Sequence, residues 1–470
     1  MKSIFLAVFM LAAAYTPGRA APIWNCGGAK KPEATSPCAA PKIVQLDNAI
    51  DARLGRLLAT ADPVTAMLLR RDQRWFLDTL TDEKPSRMEL QDETQRESLG
   101  AKLAARLKTL EAMQSRAGGL PGEWANALLA VTVTKADGEA LQVEIAGKVA
   151  YPELVEPAEC HVKATVKPDA GGWYSGTATP AEAEKAAEPN QKPPVLRMRT
   201  QAATLRVVFS SGESSDFCTS PGFITGSYFA MRPSPPAATP QTVTPSFDCA
   251  TAKNEDEEEI CSDPELAQKD AEVAKIYGPA LKRLDAKAQA HLRDDQRGWS
   301  KIKNESFQFF LHPYWDKRAA MVHHTDSARD ELLQSLTARA DMLRDLDETR
   351  TGFAGRWIGY NASLTIAPKK DATDGTLTAS GGKWDANDYK ANCDFAADGK
   401  VAGGKFETEG GSPRFTRDGI SLMVDAHYPD KTRTKDMELK MERPEYCNRF
   451  DSAKARLFPV KDDVANSRRR

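Results

Sequence analysis

The fold of this chain is decided by residues 247–299, which read FDCATAKNEDEEEICSDPELAQKDAEVAKIYGPALKRLDAKAQAHLRDDQRGW. A diverged copy begins near Trp24, where Cys26 and Cys38 lie 12 positions apart, as Cys249 and Cys261 do. In both copies a proline, an aspartate and a glutamine follow the second cysteine by 3, 9 and 35 positions. Identical residues at shared offsets indicate an internal duplication.

The sequence that follows each copy repeats as well. Trp124 precedes Cys160 by 36 positions, and Trp357 precedes Cys393 by 36 positions. Alternating apolar runs interrupted by Gly, Pro and Asp follow each tryptophan, which is typical of an antiparallel sheet. We therefore predict an α+β fold with two halves, each a disulfide-stapled helical module followed by a small antiparallel β module.

Apolar residues at three- and four-residue steps predict the helices, and Asp263 with Pro264 is a favourable helix start. Prolines in the stretch from Arg232 to Ser246 favour an extended spacer between the halves. The predicted division is a signal peptide at 1–20, helical module 1 at 21–119, β module 1 at 120–231, a linker at 232–246, helical module 2 at 247–351, β module 2 at 352–450 and a C-terminal tail at 451–470.

The N-terminus has the features of a secretory signal: Lys2, an apolar stretch from Ile4 to Tyr15, and the small residues Gly18 and Ala20 flanking Arg19. No later segment approaches the length of a membrane span, and Cys26 lacks a lipoprotein acylation context. We expect a free periplasmic or secreted protein. A formal net charge of −2 gives no indication of nucleic-acid binding.

The chain has eight cysteines, which in an exported protein predict disulfides. If both halves use one pairing pattern, the bonds are Cys26–Cys38, Cys160–Cys218, Cys249–Cys261 and Cys393–Cys447.

The most distinctive charge pattern is an acidic run between Cys249 and Cys261. Its members are Glu255, Asp256, Glu257, Glu258 and Glu259. On a disulfide-tethered loop they would form a concentrated negative surface that attracts and docks a basic partner. The alternative is a solvated loop without a binding role. The first copy has Lys30 and Lys31 in this place, so the two halves do not present the same surface.

Two further groups have both a functional and a structural interpretation. The cluster from Asp295 to Trp299 and its counterpart from Asp72 to Phe76 would form either a binding patch or a polar network that holds two helices together. The aromatic residues of the β modules would line either a sugar-binding face or the core; they are Trp124, Trp173, Tyr174, Trp357 and Trp384.

Catalytic and metal sites have little support. His323 and His324 are adjacent, so on a helix they point in different directions, and His161, His291, His312 and His427 lack ligand-type neighbours in the sequence. No nucleophile, zinc or phosphate motif is present. We predict no catalytic residue, no metal, no cofactor and no enzymatic activity.

Residues 247–306, with Cys249, Cys261, Asp263, Pro264 and the Gln296-Arg297-Gly298-Trp299 motif, resemble the N-terminal domain of LprI-type lysozyme inhibitors. That family consists of small helical exported bacterial domains. Members often have a further cysteine shortly after this motif, where Ser306 stands here. The N-terminal stretch near 24–80 resembles the family more weakly.

The resemblance implies binding or inhibition of a basic lysozyme-like muramidase, with the acidic run as the contact and no chemistry performed. The alternative is a structural, adaptor or glycan-binding protein of the bacterial envelope. The sequence does not indicate the oligomeric state or whether both halves bind.

Overall fold

The computed structural model describes residues 23–24, 26, 33–81, 88–114, 119–149, 158–180, 194–210, 224–232, 242–311, 325–360, 362–385, 388–408, 414–426 and 453–461. The predicted signal peptide, the histidines His312, His323, His324 and His427, and the end of the C-terminal tail lie outside these residues.

The first half begins with three helices, α1 (Pro41–Thr60), α2 (Pro63–Asp78) and α3 (Glu93–Ala112). Helices α1 and α2 start with proline, whose fixed φ suits the first turn and whose missing N–H would have no partner there. The carboxylate of Asp62 caps α2 by accepting from the Thr65 amide at 3.0 Å. The apolar faces of the three helices pack into one core, with Ile50, Leu103 and Leu110 fully buried.

Eight antiparallel strands follow and close into a barrel. Strand β1 pairs with β2 on one side and with β8 on the other, so Trp124 lies opposite both Val131 and Ala230. Along β2, Val131 and Val133 are buried while their neighbours are exposed, which is the period of a strand with one face inside. The strands are β1 (Gly122–Ala125), β2 (Ala130–Lys135), β3 (Leu141–Val149), β4 (Ala158–Pro168), β5 (Tyr174–Pro180), β6 (Val195–Gln201), β7 (Thr204–Ser210) and β8 (Gly226–Ala230).

The second half also has helices followed by a barrel, with the short helix α4 added ahead of three longer ones. Its helices are α4 (Glu255–Ser262), α5 (Pro264–Lys282), α6 (Ala286–Leu311) and α7 (Thr325–Arg344). Asp263 is the predicted cap of α5 and accepts from the amides of Glu265 at 2.9 Å and Leu266 at 3.2 Å. The cores of α5, α6 and α7 meet at Leu266, Leu292 and Leu336.

A second closed barrel of eight antiparallel strands completes this half. Its last strand, β16, pairs with both β15 and β9 and buries Phe458. This strand lies inside the segment predicted as a C-terminal tail, so that boundary is wrong: β16 is needed to close the barrel. The strands are β9 (Gly355–Ile358), β10 (Ala362–Pro368), β11 (Leu377–Asp385), β12 (Asp388–Ala402), β13 (Lys405–Thr408), β14 (Arg414–Asp418), β15 (Ser421–Ala426) and β16 (Ala453–Val460).

The two halves join their helices to their barrels in the same way. Arg106 on α3 donates to Gln73 and pairs with Asp72, whose carboxylate also accepts from the Ala127 amide. In the second half Arg339 contacts Gln296 and Asp295 alike, and Asp295 accepts from the Tyr360 amide at 2.9 Å. The α+β prediction with two similar halves is confirmed, and the closure of each sheet into a barrel is the part that the sequence did not indicate.

Two of the predicted disulfides are present, Cys26–Cys38 and Cys249–Cys261, each across 12 positions. Cys160 is disulfide-bonded. Cys218, Cys447 and the side chain of Cys393 lie outside the described residues, so the pairings Cys160–Cys218 and Cys393–Cys447 stay predictions. None of the described helices combines the length and the apolar character that crossing a membrane requires.

Candidate functional site

The acidic run between Cys249 and Cys261 forms helix α4 and is not the open loop that we predicted. Four of its carboxylates lie in the first turn, where the helix dipole and the free backbone N–H groups favour negative charge. Ile260 and Cys261 at the other end are fully buried. The disulfide and the apolar end therefore fix the helix to the protein, so that the acidic residues are held on an ordered helix.

The five carboxylates differ in exposure. Asp256 and Glu259 are buried, with 1% and 2% of their surface exposed. Glu255, Glu257 and Glu258 are partly exposed. Since a helix turns by about 100° per residue, only part of the run faces solvent, and the five acids do not act as one surface.

Helix α6 holds the N-terminal end of α4. Lys303 forms a buried ion pair with Asp256. Gln308 donates from Nε2 to Glu255 Oε2 at 2.9 Å. Glu257 accepts from the backbone amide of Lys253 at 2.7 Å, one residue before the N-cap Asn254, and so ties the incoming chain to the first turn.

The opposite side of α4 faces the first half of the chain. Arg71 on α2 donates to Glu259 at 2.8 Å. Arg206 on β7 also pairs with Glu259, and Arg74 pairs with Glu258 at the surface. Three arginines of the first half therefore contact two carboxylates of α4.

This contact continues as a row of alternating charges. Arg206 Nε donates to Asp263 at 3.2 Å, and Arg329 on α7 donates to the same oxygen at 2.8 Å. Arg329 also donates to the Glu265 carboxylate at 2.5 Å. The same carboxylate accepts from Arg197 on β6 at 3.1 Å. We call Arg71, Arg197, Arg206, Glu259, Asp263, Glu265 and Arg329 the interhalf network.

The interhalf network keeps its buried groups ionised. Burial alone would raise the pKa of Glu259, but Arg206 and Arg71 outweigh it and lower the pKa below its ordinary value. Burial opposes ionisation of Asp263 as well, and Arg329 and Arg206 again lower its pKa. The same pairing raises the pKa of Arg329 despite burial. Each buried charge depends on its partner, because an unpaired one would be strongly destabilising.

An uncharged contact lies beside the network. The Gln201 side chain donates to the carbonyl oxygens of Val243 and Cys261 at 2.9 and 3.1 Å, and it accepts from the Val243 amide at 3.2 Å. Gln201 is fully buried. It thus binds both the extended segment that leads into the second half and the backbone of Cys261, whose disulfide holds α4.

The clusters from Asp72 to Phe76 and from Asp295 to Trp299 form polar networks between helices and barrel. Arg106 lies over the ring of Phe76 at 5.3 Å, and Arg339 over the ring of Trp299 at 5.6 Å. Burial raises the pKa of Asp295 in spite of Arg339. Of the two interpretations the sequence left open, the network that holds helices together is the one that these contacts match.

The aromatic residues do not form an open sugar-binding face among the described side chains. Trp124, Trp173 and Trp357 are buried, with at most 3% of their surface exposed in each case. The indole N–H groups of Trp124 and Trp357 donate to the carbonyls of Leu120 and Phe353. Tyr174 packs against the first barrel core, and the Trp384 side chain lies outside the described residues.

One histidine has charged neighbours that the sequence did not reveal. His291 on α6 lies 3.5 Å from the Asp418 carboxylate and 2.8 Å from Arg456. Burial and Arg456 lower its pKa, against the attraction of Asp418. The Ser421 hydroxyl donates to the Asp418 carbonyl at 2.8 Å and accepts from Arg456 at 2.9 Å, and its oxygen lies 3.4 Å from His291 Nδ1. His161 is half exposed beside Glu144 at 3.7 Å. Over the described part of the chain, no group of histidines, cysteines and carboxylates is arranged to hold a metal ion.

Comparison with known proteins gives one finding. Residues 249–352, which span α4 to α7, match the family described as Lysozyme inhibitor LprI. No curated protein and no solved structure matches the chain. The match agrees with the resemblance of residues 247–306, and the second copy near 24–80 stays a prediction.

Proposed function

We propose that this chain is an exported, non-enzymatic envelope protein that uses its LprI-like helical module, residues 249–352, to bind and inhibit a basic lysozyme-type muramidase. The family match carries the proposal. The signal-like N-terminus supports export to the periplasm or beyond. The proposal keeps the predicted domain division, except that β16 belongs to the second β module and not to the tail.

Within the module, the partly exposed carboxylates of α4 are the proposed contact. Glu255, Glu257 and Glu258 lie at its accessible edge. Asp256 and Glu259, also predicted as contacts, are buried. Asp256 is paired with Lys303, and Glu259 is paired with two arginines. We assign them the role of holding α4 in place. Such an acidic edge would attract a cationic protein and accept its lysine and arginine side chains.

The experiment is inhibition of a c-type lysozyme by the oxidised mature protein and by a triple variant, Glu255→Gln, Glu257→Gln and Glu258→Gln. We expect the triple variant to inhibit about tenfold more weakly, because three rim charges each contribute roughly 0.2–1 kcal/mol. Asp256 and Glu259 are left unchanged, so that the fold is preserved. The matched control is Glu89→Gln, Glu97→Gln and Glu111→Gln in the first half, where the three side chains are exposed.

Equal weakening in both triple variants would mean that only the overall charge matters and would remove α4 as the contact. A steep loss of inhibition between low and high salt is expected for docking by charge, since the screening length falls to about 3 Å at 1 M salt. Absence of inhibition at micromolar protein, for both a c-type and a g-type lysozyme, would refute the muramidase proposal and favour the adaptor or glycan-binding alternative.

A further inference from the structure

The acidic helix of the second half already has a basic partner inside the molecule. Arg71, Arg74 and Arg206 approach α4 from the first half, as the cations of a basic protein would from outside. The contacts differ in burial. The side chains of Arg71 and Arg206 are 7% and 0% exposed, whereas that of Arg74 is 46% exposed. Only the Arg74 contact is therefore open to exchange without separating the two halves.

The partner of Arg74 in the proposed contact is largely covered. The Glu258 side chain is 12% exposed, although it lies on the accessible edge of α4. Its carboxylate accepts directly from the Arg74 guanidinium. A carboxylate that accepts a charge-assisted hydrogen bond from an arginine has less to offer a second cation.

We propose that Arg74 is an internal competitor for Glu258, so that the first half of the chain lowers the affinity of its own LprI-like module for a basic partner. This inference rests on the proposed function. A bound muramidase displaces the Arg74 guanidinium and takes over the Glu258 carboxylate with a lysine or arginine of its own. The buried pairs of the interhalf network keep α4 in place during this exchange.

The second half supplies a matched control. Arg297 lies 223 positions after Arg74, as Trp299 does after Phe76, and it pairs with Asp294 on its own helix. Both side chains of this pair are well exposed, 72% for Arg297 and 64% for Asp294. Arg74→Ala and Arg297→Ala change the net charge by the same amount, and only the first uncovers Glu258.

The test measures binding of a c-type lysozyme to the full oxidised chain. We expect Arg74→Ala to bind roughly two- to fivefold more tightly, since an exposed ion pair contributes little, and Arg297→Ala to bind as the parent does. The gain should vanish when Glu258→Gln is present in both members of the comparison. In a parent protein that binds lysozyme, equal gains for the two arginine variants, or no gain for Arg74→Ala, would overturn the proposal.

A second readout does not depend on lysozyme. Carbodiimide-driven coupling of an amine to accessible carboxyl groups, followed by mass spectrometry, reports how far Glu258 is covered. We expect Arg74→Ala to raise the labelling of Glu258 several-fold and Arg297→Ala to leave it unchanged. Unchanged labelling in Arg74→Ala would overturn the proposal. Increased labelling in a protein that binds no lysozyme would support the competition at Glu258 and would refute the muramidase proposal alone.

Discussion

The first and second halves hold their helices to their barrels by the same contacts, yet they differ at the hairpin where the first half meets the second. Thr204 and Ser421 each donate at 2.8 Å to the carbonyl three residues earlier, which aligns the β6–β7 hairpin with the β14–β15 hairpin. By this alignment Gln201 corresponds to Asp418, and Arg206 corresponds to Met423.

These exchanges change what the hairpin contacts. Gln201 and Arg206 are fully buried and bind the second half. Asp418 instead pairs with the exposed Lys287 and the partly exposed Arg456 of its own half, and these contacts lower its pKa to about 2. The comparison shows that the repeated backbone does not by itself make the contact between halves: on this hairpin, side chains that the second copy lacks contribute to it, together with Arg71 and Arg74 on α2.

The largest expected effect comes from giving the first hairpin the residue of the second. Arg206→Met removes the guanidinium that lies between Glu259 and Asp263 and leaves two buried carboxylates with one arginine each. We expect the free energy of unfolding to fall by about 3–5 kcal/mol, as for other broken buried ion pairs. Urea unfolding followed by circular dichroism measures the loss.

Arg199→Met is the control for this change, because Arg199 lies on the neighbouring strand β6 and makes an exposed contact to the Gly171 carbonyl. We expect it to alter stability by less than about 1 kcal/mol. If both variants lose equally little, the interhalf network does not hold the halves together.

The order of helical and β modules and two of the disulfides were predictable, because the sequence patterns that indicate them are local or repeated. The spacing of cysteines predicted the bonds Cys26–Cys38 and Cys249–Cys261, and the Asp-Pro pair predicted the start of α5 at Pro264. Both depend on residues that are near each other in the chain. The closure of the barrels depends on pairs such as Trp124 with Ala230, more than 100 positions apart, for which the sequence has no local sign.

The candidate site was predictable only in part, for the same reason. The acidic run is visible in the sequence, but its basic partners are scattered over α2, β7 and α6. Glu259 and Arg71 are 188 positions apart. A count of like charges indicates a negative surface, and only the folded chain shows that Asp256 and Glu259 are buried on cations. The sequence therefore predicted where the charge lies and overestimated how much of it is exposed.

An intermediate effect is expected at the junction between helix and barrel, where one half has a large residue on the helix and the other half has a large residue on the barrel. Trp75 follows Arg74 in the first half and packs into the barrel core, near the small residue Ala127. The second half has Gly298 and Tyr360 at these places. A methyl group on Gly298 would lie 2.9 Å from the Tyr360 ring. Gly298→Ala should therefore lower the free energy of unfolding by about 1–3 kcal/mol through overpacking.

Gly278→Ala is its control, since Gly278 lies in helix α5 with open space around the added methyl group. There we expect a gain of about 0.4–1 kcal/mol, because alanine restricts the unfolded chain. Thermal unfolding of the two variants distinguishes them by the sign of the shift in Tm. A gain in both would show that the Tyr360 ring moves aside without loss.

The smallest expected effect is a difference in stability between variants of two corresponding aspartates. Each of them binds the segment that precedes the disulfide in its own half. Asp47 is 2% exposed and accepts from the amides of Ile23 and Trp24 at 2.9 and 3.1 Å. Asp270 accepts from the amide and hydroxyl of Ser246 at 2.7 and 2.6 Å at an exposed site. Since water replaces a lost partner only at the exposed site, Asp47→Ala should destabilise the protein by about 1–2 kcal/mol more than Asp270→Ala does. Urea midpoints compare the two, and equal losses would mean that burial of the Asp47 contact does not matter to stability.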